Sequence, residues 1–344
     1  MINESCENIT DITEHAGPSV SAVMFVTGVL GNVLALVILG LHKRDPKSKM
    51  SLFHILVSSL IITDLVGTLI ISPMVLTAYA RRRTLLALNL CSYCAFAMAF
   101  FGLASMFILF AMAVERCLSL SCPYFYQRHT SNRCGLITIP AIYVFCLIFC
   151  ALPQLGFGIN AQYCPGTWCF IKMEVWRMEV RHRVYSLSYA ILMKVLIISI
   201  LLCNISVIVN LCRMHQRKKT RRHSSAPRTR RHRFSQSEEV DHLVLLAIMT
   251  TTFVICSVPL TVRAYIGAFQ NVKDNESDLV ALRCLSFNSI IDPWVFIILN
   301  TSVFRRILSR ILCCKITSKR QEPHTTTFKN TEIFRQESLW DRHS

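Results

Sequence analysis

The sequence predicts an all-α membrane protein: a seven-transmembrane helix bundle with a short cytoplasmic amphipathic eighth helix. Composition is the first reason. Of 344 residues, 53% are hydrophobic and only 17% charged, and the mean hydropathy is +0.44, too apolar for a water-soluble domain of this length. The second reason is seven apolar runs, at about 19–41, 51–79, 92–120, 135–157, 184–212, 242–269 and 279–300. Each is long enough to cross a hydrocarbon layer roughly 30 Å thick. Only helices and closed barrels satisfy their backbone groups in lipid, and continuous runs of this length, unlike alternating segments of about ten residues, select helices.

The third reason is the distribution of positive charge. The loops 42–49, 121–134 and 213–239 and the segment 305–320 together hold 22 lysines and arginines, against 8 in 1–18, 80–90, 158–183 and 270–278. Basic loops stay on the cytoplasmic side, so the N-terminus is predicted outside and the C-terminus inside. This divides the chain into an extracellular N-terminus (1–18), a seven-transmembrane domain (19–300), an amphipathic helix (301–315) and a disordered cytoplasmic tail (316–344). The net charge of +17 belongs to cytoplasmic loops facing anionic lipid and an acidic partner surface. It does not imply nucleic acid.

In the outer leader, Asn8-Ile9-Thr10 is a glycan acceptor sequence, as is Asn275-Glu276-Ser277 in the last outer loop. The first run follows a polar, acidic leader and is too long for a cleaved signal, so it is read as a retained helix. It carries Gly31-Asn32, and the second run carries Asp64. With Asp292 of the seventh run, these polar groups lie at mid-depth of three helices. A shared cluster is the cheapest way to satisfy them in hydrocarbon.

The third run ends in Glu115-Arg116-Cys117 at the cytoplasmic boundary, where an ion contact can hold one conformation and release it in another. The fourth run leads into an outer loop, Gln162 to Phe170, where Pro165-Gly166 specifies a turn and Trp168 supplies a rigid amphipathic surface. It has the character of a lid over the outer mouth. Cys6, Cys91, Cys164 and Cys169 form an even set on the oxidising side and admit three pairings. The stretch 213–239 lacks apolar periodicity and is expected to be largely disordered beyond helix extensions, with room for a cytoplasmic partner. In the sixth run Pro259 provides a kink and a hinge.

Within the seventh run, the stretch 282–300 holds Arg283 near one end and Asp292 in its middle. A charge at bilayer depth costs roughly 2.5 kcal/mol or more and is kept only when it faces a partner, water or the bundle interior. The two are about 13 Å apart along one helix at ~1.5 Å per residue, too far to neutralise each other. A snorkelling residue is the plain reading of Arg283. The functional one is a counter-ion for an anionic ligand. After the seventh run, Phe304 to Leu312 is amphipathic and ends at Cys313-Cys314, a pair placed for palmitoylation in the interface.

Asp64, Glu115-Arg116-Cys117 and Asp292-Pro293-Trp294 in this seven-run frame resemble a rhodopsin-type G-protein-coupled receptor. The segments QYCPGTWCFI (162–171), LRCLSFNSIIDPW (282–294) and SPMVLTAYAR (72–81) resemble the prostanoid receptors, over about residues 20–315. The likeness is greatest to the prostacyclin branch, then to the prostaglandin D branch and the cyclic-AMP-raising prostaglandin E branch. The resemblance implies a prostanoid lipid ligand, a heterotrimeric G protein of the stimulatory class, contacts with membrane lipid, and arrestin and receptor kinases as further partners.

By the same resemblance Arg283 pairs with the ligand carboxylate, Tyr79 and Thr167 complete the carboxylate site, and Met98, Trp168 and Ser286 serve the rest of the ligand. Guanidinium holds a carboxylate through two parallel charge-assisted bonds. Glu115, Arg116, Asp64, Asp292, Pro293 and Pro259 would carry the switch to the G protein. Cys91 would pair with Cys169 and Cys6 with Cys164. The chain departs from most rhodopsin-like receptors at Cys117 and Asp292, and it ends Asp341-Arg342-His343-Ser344, without the terminal cysteine that prenylation needs. No catalytic set, metal-ligand pair or cofactor motif is expected, which disfavours an intramembrane enzyme. A transporter using Asp64 and Asp292 as ion sites would show internal repeats and paired broken helices, which this sequence lacks.

Overall fold

The structure is a computed structural model that describes residues 6–12, 17–43, 52–130, 132–221, 230–270, 272 and 274–300. Seven helices there are long and apolar enough to cross a membrane. In order they are Ser19–Lys43, Leu52–Arg81, Cys91–Ser121, Asn132–Ala151, Val180–Arg221, Arg230–Phe269 and Asn275–Asn300, the first to seventh spans. A short helix, Pro123–His129, follows the third span, and a 3-10 turn, Leu152–Leu155, ends the fourth. The predicted amphipathic helix 301–315 with Cys313 and Cys314, and the tail 316–344, lie outside the described residues.

The third span is the axis of the bundle. It packs against the second, fourth, fifth and sixth spans and against the lid. Its buried face is built from small and pliable side chains, including Ala95, Ala99, Ala104, Met98, Met106 and Met112. Small residues let helices approach closely where no hydrophobic drive separates protein from lipid. The same device joins first and seventh spans. A Cβ on Gly31 would lie 2.7 Å from Trp294 Nε1, and that indole donates to the Thr27 carbonyl at 3.2 Å. Large apolar side chains such as Ile137, Ile148, Leu202 and Ile255 stay exposed on the outer surface, as a lipid-facing belt requires.

The fifth and sixth spans extend beyond their apolar runs, the fifth to Arg221 and the sixth from Arg230. Much of the stretch expected to be disordered is therefore helical. Its Lys, Arg and Gln residues are good helix formers, and no Gly or Pro interrupts 213–221 or 230–246, so hydrogen bonding continues past the hydrocarbon.

At one end, the loop after the fourth span forms an antiparallel hairpin, Asn160–Tyr163 with Trp168–Ile171, in register Tyr163↔Trp168. This is a small β addition to the helical frame. Gly166 adopts φ 99° in the turn and lies flush on the second-to-third linker, where an added Cβ would meet Thr84 Cγ2 at 2.4 Å. Leu85 N–H donates to the Gly166 carbonyl at 2.9 Å, and Leu86 N–H to Gln162 Oε1 at 3.0 Å. Cys91 is bonded to Cys169 and Cys6 to Cys164, so the lid is stapled both to the third span and to the N-terminal segment. Lys172 pairs with Glu7 across the same seam.

Candidate functional site

Beneath the lid lies a cavity of about 90 Å³ between the second, third and seventh spans. Met98, Trp168 and Ser286 line it, with Val75, Phe101 and Leu285 as apolar walls. Trp168 is 4% exposed, and its indole N–H is buried without a hydrogen-bond acceptor among the described residues. The Ser286 hydroxyl donates to the Leu282 carbonyl at 3.1 Å, one turn earlier on its own helix.

Arg283, Tyr79 and Thr167 are not among the residues lining that cavity. Thr167, fully buried in the lid turn, donates to the Tyr79 hydroxyl at 3.3 Å, so these two predicted ligand residues already touch. Arg283 is half-buried, one position along from the fully buried Leu282. Among the described residues no carboxylate lies within ion-pairing distance of it, and its buried Nε has no hydrogen-bond partner. A buried, unpartnered donor on a charged group costs more than a neutral one. The resemblance-based expectation that Arg283 receives an anionic ligand falls on a group in this state.

The lid is rigid where it borders this region. The Tyr163 hydroxyl donates to the Ile171 carbonyl at 2.9 Å and accepts from Met173 N–H at 2.9 Å. Burial pushes its pKa well above the ordinary phenol range, so it remains a neutral hydroxyl able to serve both partners. Gln162, also buried, donates to the Cys6 and Ile9 carbonyls at 3.0 and 3.1 Å.

At mid-depth the expected polar groups of three spans are buried, but no hydrogen bond joins Asn32, Asp64 and Asp292 to one another among the described residues. Asp64 accepts from the Ser105 hydroxyl at 2.8 Å, and Asn32 donates to the Ser289 carbonyl at 3.0 Å. Asp292 is 1% exposed and neither of its carboxyl oxygens has a hydrogen-bond partner among the described residues. Asn288 reaches across to the Ser257 hydroxyl at 3.4 Å, just before Pro259 in the sixth span. Pro259 leaves the Ile255 carbonyl without its usual i+4 donor, which weakens the helix where a hinge was predicted. Pro293 does the same within the seventh span, beside Asp292.

At the end opposite the lid, Glu115 and Arg116 form an ion pair with Nε to Oε2 at 2.8 Å, buried on both sides. The Tyr126 hydroxyl of the short helix donates to the other Glu115 oxygen at 2.6 Å, and the Arg116 guanidinium lies 4.1 Å over the Phe53 ring. Burial first, and the bond to Glu115 second, hold the Tyr126 hydroxyl protonated well above its ordinary range. The pair is thus part of a four-residue cluster with Tyr126 and Phe53, at the place where the sequence predicts a releasable ion contact. Of the predicted glycan acceptors, Asn8 is exposed. Asn275 is half-buried in the first turn of the seventh span, where the Ser277 hydroxyl is already committed to Asp274 at 2.5 Å.

Several contacts near the lid end escape a sequence-only reading. Arg263 of the sixth span bonds Asp278 of the seventh at 2.6 Å, both side chains largely buried. Gly267 lies against the irregular segment that follows the second lid strand, with Val175 N–H donating to its carbonyl at 3.0 Å. A Cβ there would meet the Met173 carbonyl oxygen at 2.5 Å. Lys194, unplaced by sequence, sits 5.4 Å over the Tyr265 ring.

A lid stapled over a seven-helix membrane bundle, an arginine without a counter-ion among the described residues and a buried ion pair at the far end are the architecture of a membrane receptor. Comparison with known proteins makes this specific. The family described as "7 transmembrane receptor (rhodopsin family)" matches residues 31–296. The prostaglandin E2 receptor EP2 subtype of Canis lupus familiaris is 47% identical over 345 residues, covering 94% of this chain and 93% of that protein. The prostacyclin receptor of Homo sapiens is 49% identical over 317 residues, covering 90% of this chain and 80% of that protein. Squid rhodopsin has the same fold at a TM-score of 0.70 and 14% identity, covering 93% of this chain and 95% of its own. The chain belongs to the prostanoid receptors, within the rhodopsin family of G-protein-coupled receptors.

Proposed function

We propose that this chain is a cell-surface receptor that binds a prostanoid through its carboxylate and raises cyclic AMP through the stimulatory G protein. The carrying observation is Arg283, a half-buried guanidinium with no protein counter-ion among the described residues. The ligand carboxylate supplies the missing charge, and the Tyr79 and Thr167 hydroxyls fill its remaining lone pairs. Met98, Ser286 and the Trp168 indole receive the apolar ring and chain. Their cavity of about 90 Å³ is smaller than the roughly 300–1,000 Å³ typical of small-molecule sites, so ligand entry also widens the space toward Arg283.

The distribution of basic residues supports the lid end as extracellular and the Glu115 end as cytoplasmic. Bound ligand favours the state in which the inner half of the sixth span swings outward about Pro259, with Asp64, Asp292 and Pro293 as the polar joint that repacks. Arg116 then leaves Glu115 to pack against the G protein. Only a ligand that binds the open state more tightly drives this change.

Prostacyclin and prostaglandin E2 stand equal as the physiological ligand, with prostaglandin D2 as the further candidate. Prostacyclin was favoured by the motifs, and the relatives named for prostaglandin E2 and for prostacyclin match this chain at similar identity. Cyclic AMP in cells expressing the chain, titrated with a stable prostacyclin analogue and with prostaglandin E2, separates them. The expected result is a rise with one at a markedly lower concentration. A fall in cyclic AMP, or silence to every prostanoid at verified surface expression, overturns the function.

A further inference from the structure

A second cavity lies at the Glu115 end, between the second, third and fourth spans and the short helix. It holds about 370 Å³, roughly four times the volume beneath the lid, and falls in the range of small-molecule sites. Leu56, Phe107, Phe110, Val114, Leu118 and Ile142 give it an apolar lining. One carboxylate, that of Glu115, lies on its wall. Arg116 holds one oxygen of that group and Tyr126 the other, so the wall presents no unpaired negative charge. The cavity borders hydrocarbon: Leu136 and Ile137, next to its lining residue Gly135, are 65% and 71% exposed on the lipid-facing surface.

Its polar margin is positive. Arg128 in the last turn of the short helix and Arg133 in the first turn of the fourth span are both exposed, and they flank the lining residues Thr130 and Cys134. No Asp or Glu occurs between Arg116 and Met173, so nothing acidic in this part of the chain offsets them. An apolar slot open to hydrocarbon with two guanidinium groups at its margin matches one chemistry, an acyl chain joined to an anionic headgroup.

We infer that this groove is a binding site for an anionic phospholipid, its acyl chain against Phe110 and Ile142 and its headgroup on Arg128 and Arg133. The assignment to the cytoplasmic leaflet, where such lipids concentrate, rests on the orientation proposed above. An epitope at Ser344 that is reached only after permeabilisation tests that orientation separately from lipid binding. The occupant packs beside Val114, Leu118 and Tyr126, and so braces the Glu115 cluster from the membrane side.

Native mass spectrometry of the purified full chain, offered phosphatidylserine or phosphatidylcholine at equal concentration, tests the site. Two arginines at roughly 1 kcal/mol each correspond to an expected preference of about 30-fold for phosphatidylserine. Ala111→Phe fills the groove from the third span and should abolish the retained lipid; Thr138→Leu fills it from the fourth if the first variant does not fold. Arg128→Ala with Arg133→Ala should bring the two lipids near parity. The inference is overturned if the wild-type chain retains no phosphatidylserine or retains both lipids equally. It is also overturned if a folded groove-filling variant keeps full retention.

Discussion

Replacing Arg263 by Met should destabilise the lid end of the bundle far more than an ordinary surface substitution. The guanidinium Nε donates to Asp278 at 2.6 Å, and the two side chains are only 12% and 14% exposed. Breaking a fully buried pair costs roughly 3–5 kcal/mol because the survivor is left charged and unpaired, while exposed pairs are worth ~0–1 kcal/mol. At this degree of burial the expected loss is about 2–3 kcal/mol, a shift of about 30- to 140-fold in the folding equilibrium. The double variant Arg263→Met with Asp278→Leu removes both charges and should recover most of that loss, since well-packed apolar replacements of a buried pair are often neutral. Thermal melting of the four purified proteins of this cycle measures the coupling. A single variant that melts with the wild type, or a double variant as unstable as the single, refutes the assignment of this pair as the clasp between sixth and seventh spans.

Three further outcomes are expected. Gly267→Ala places a Cβ 2.5 Å from the Met173 carbonyl oxygen, a backbone atom that cannot rotate away, so hydrogen exchange at 172–176 should quicken while the Glu115 end keeps its protection; unchanged exchange there contradicts the close approach. Tyr126→Phe removes the 2.6 Å bond to Glu115 and should raise cyclic AMP without ligand at matched surface expression, whereas a basal level equal to wild type detaches that bond from the releasable contact. The Asp274 carboxyl is held below its ordinary value of 3.8 by bonds from the Ser277 hydroxyl and backbone N–H, so it stabilises the first turn of the seventh span above that pH and loses the contribution as pH falls through its lower folded value. Exchange at 275–278 should therefore stay slow down to mild acid, and Ser277→Ala should move the onset of fast exchange to higher pH; an unmoved onset removes the cap.

Hydropathy could find the seven spans because the bilayer is a uniform solvent that selects length and apolarity, and both are written in single runs such as 19–41 or 92–120. The ends of the fifth and sixth spans were not legible that way, since beyond the hydrocarbon a helix continues on propensity alone. Nor was the hairpin, whose two strands are four residues each and take their register from the Pro165-Gly166 turn and the stapled linker. That Asn32, Asp64 and Asp292 face the interior was readable because polar groups are costly on the lipid side, but their separate contacts with Ser289 and Ser105 were not. Arg263 and Asp278 stand fifteen positions apart across a loop, and only the folded chain brings them together. The proposed ligand side chains divide the same way. Met98, Trp168 and Ser286 share one cavity and Tyr79 touches Thr167, but no spacing in the sequence relates these two groups to each other.

Binding of a labelled prostanoid to Arg283→Ala, at surface expression matched to the wild type, is the most direct measurement of the central claim. Losing a charge-assisted pair to a carboxylate should weaken affinity by at least roughly tenfold. Arg283→Lys, which keeps the charge but not the paired donors, should fall between the two. Affinity in Arg283→Ala equal to that of the wild type would mean that the ligand acid is held elsewhere, and the proposed site would be wrong.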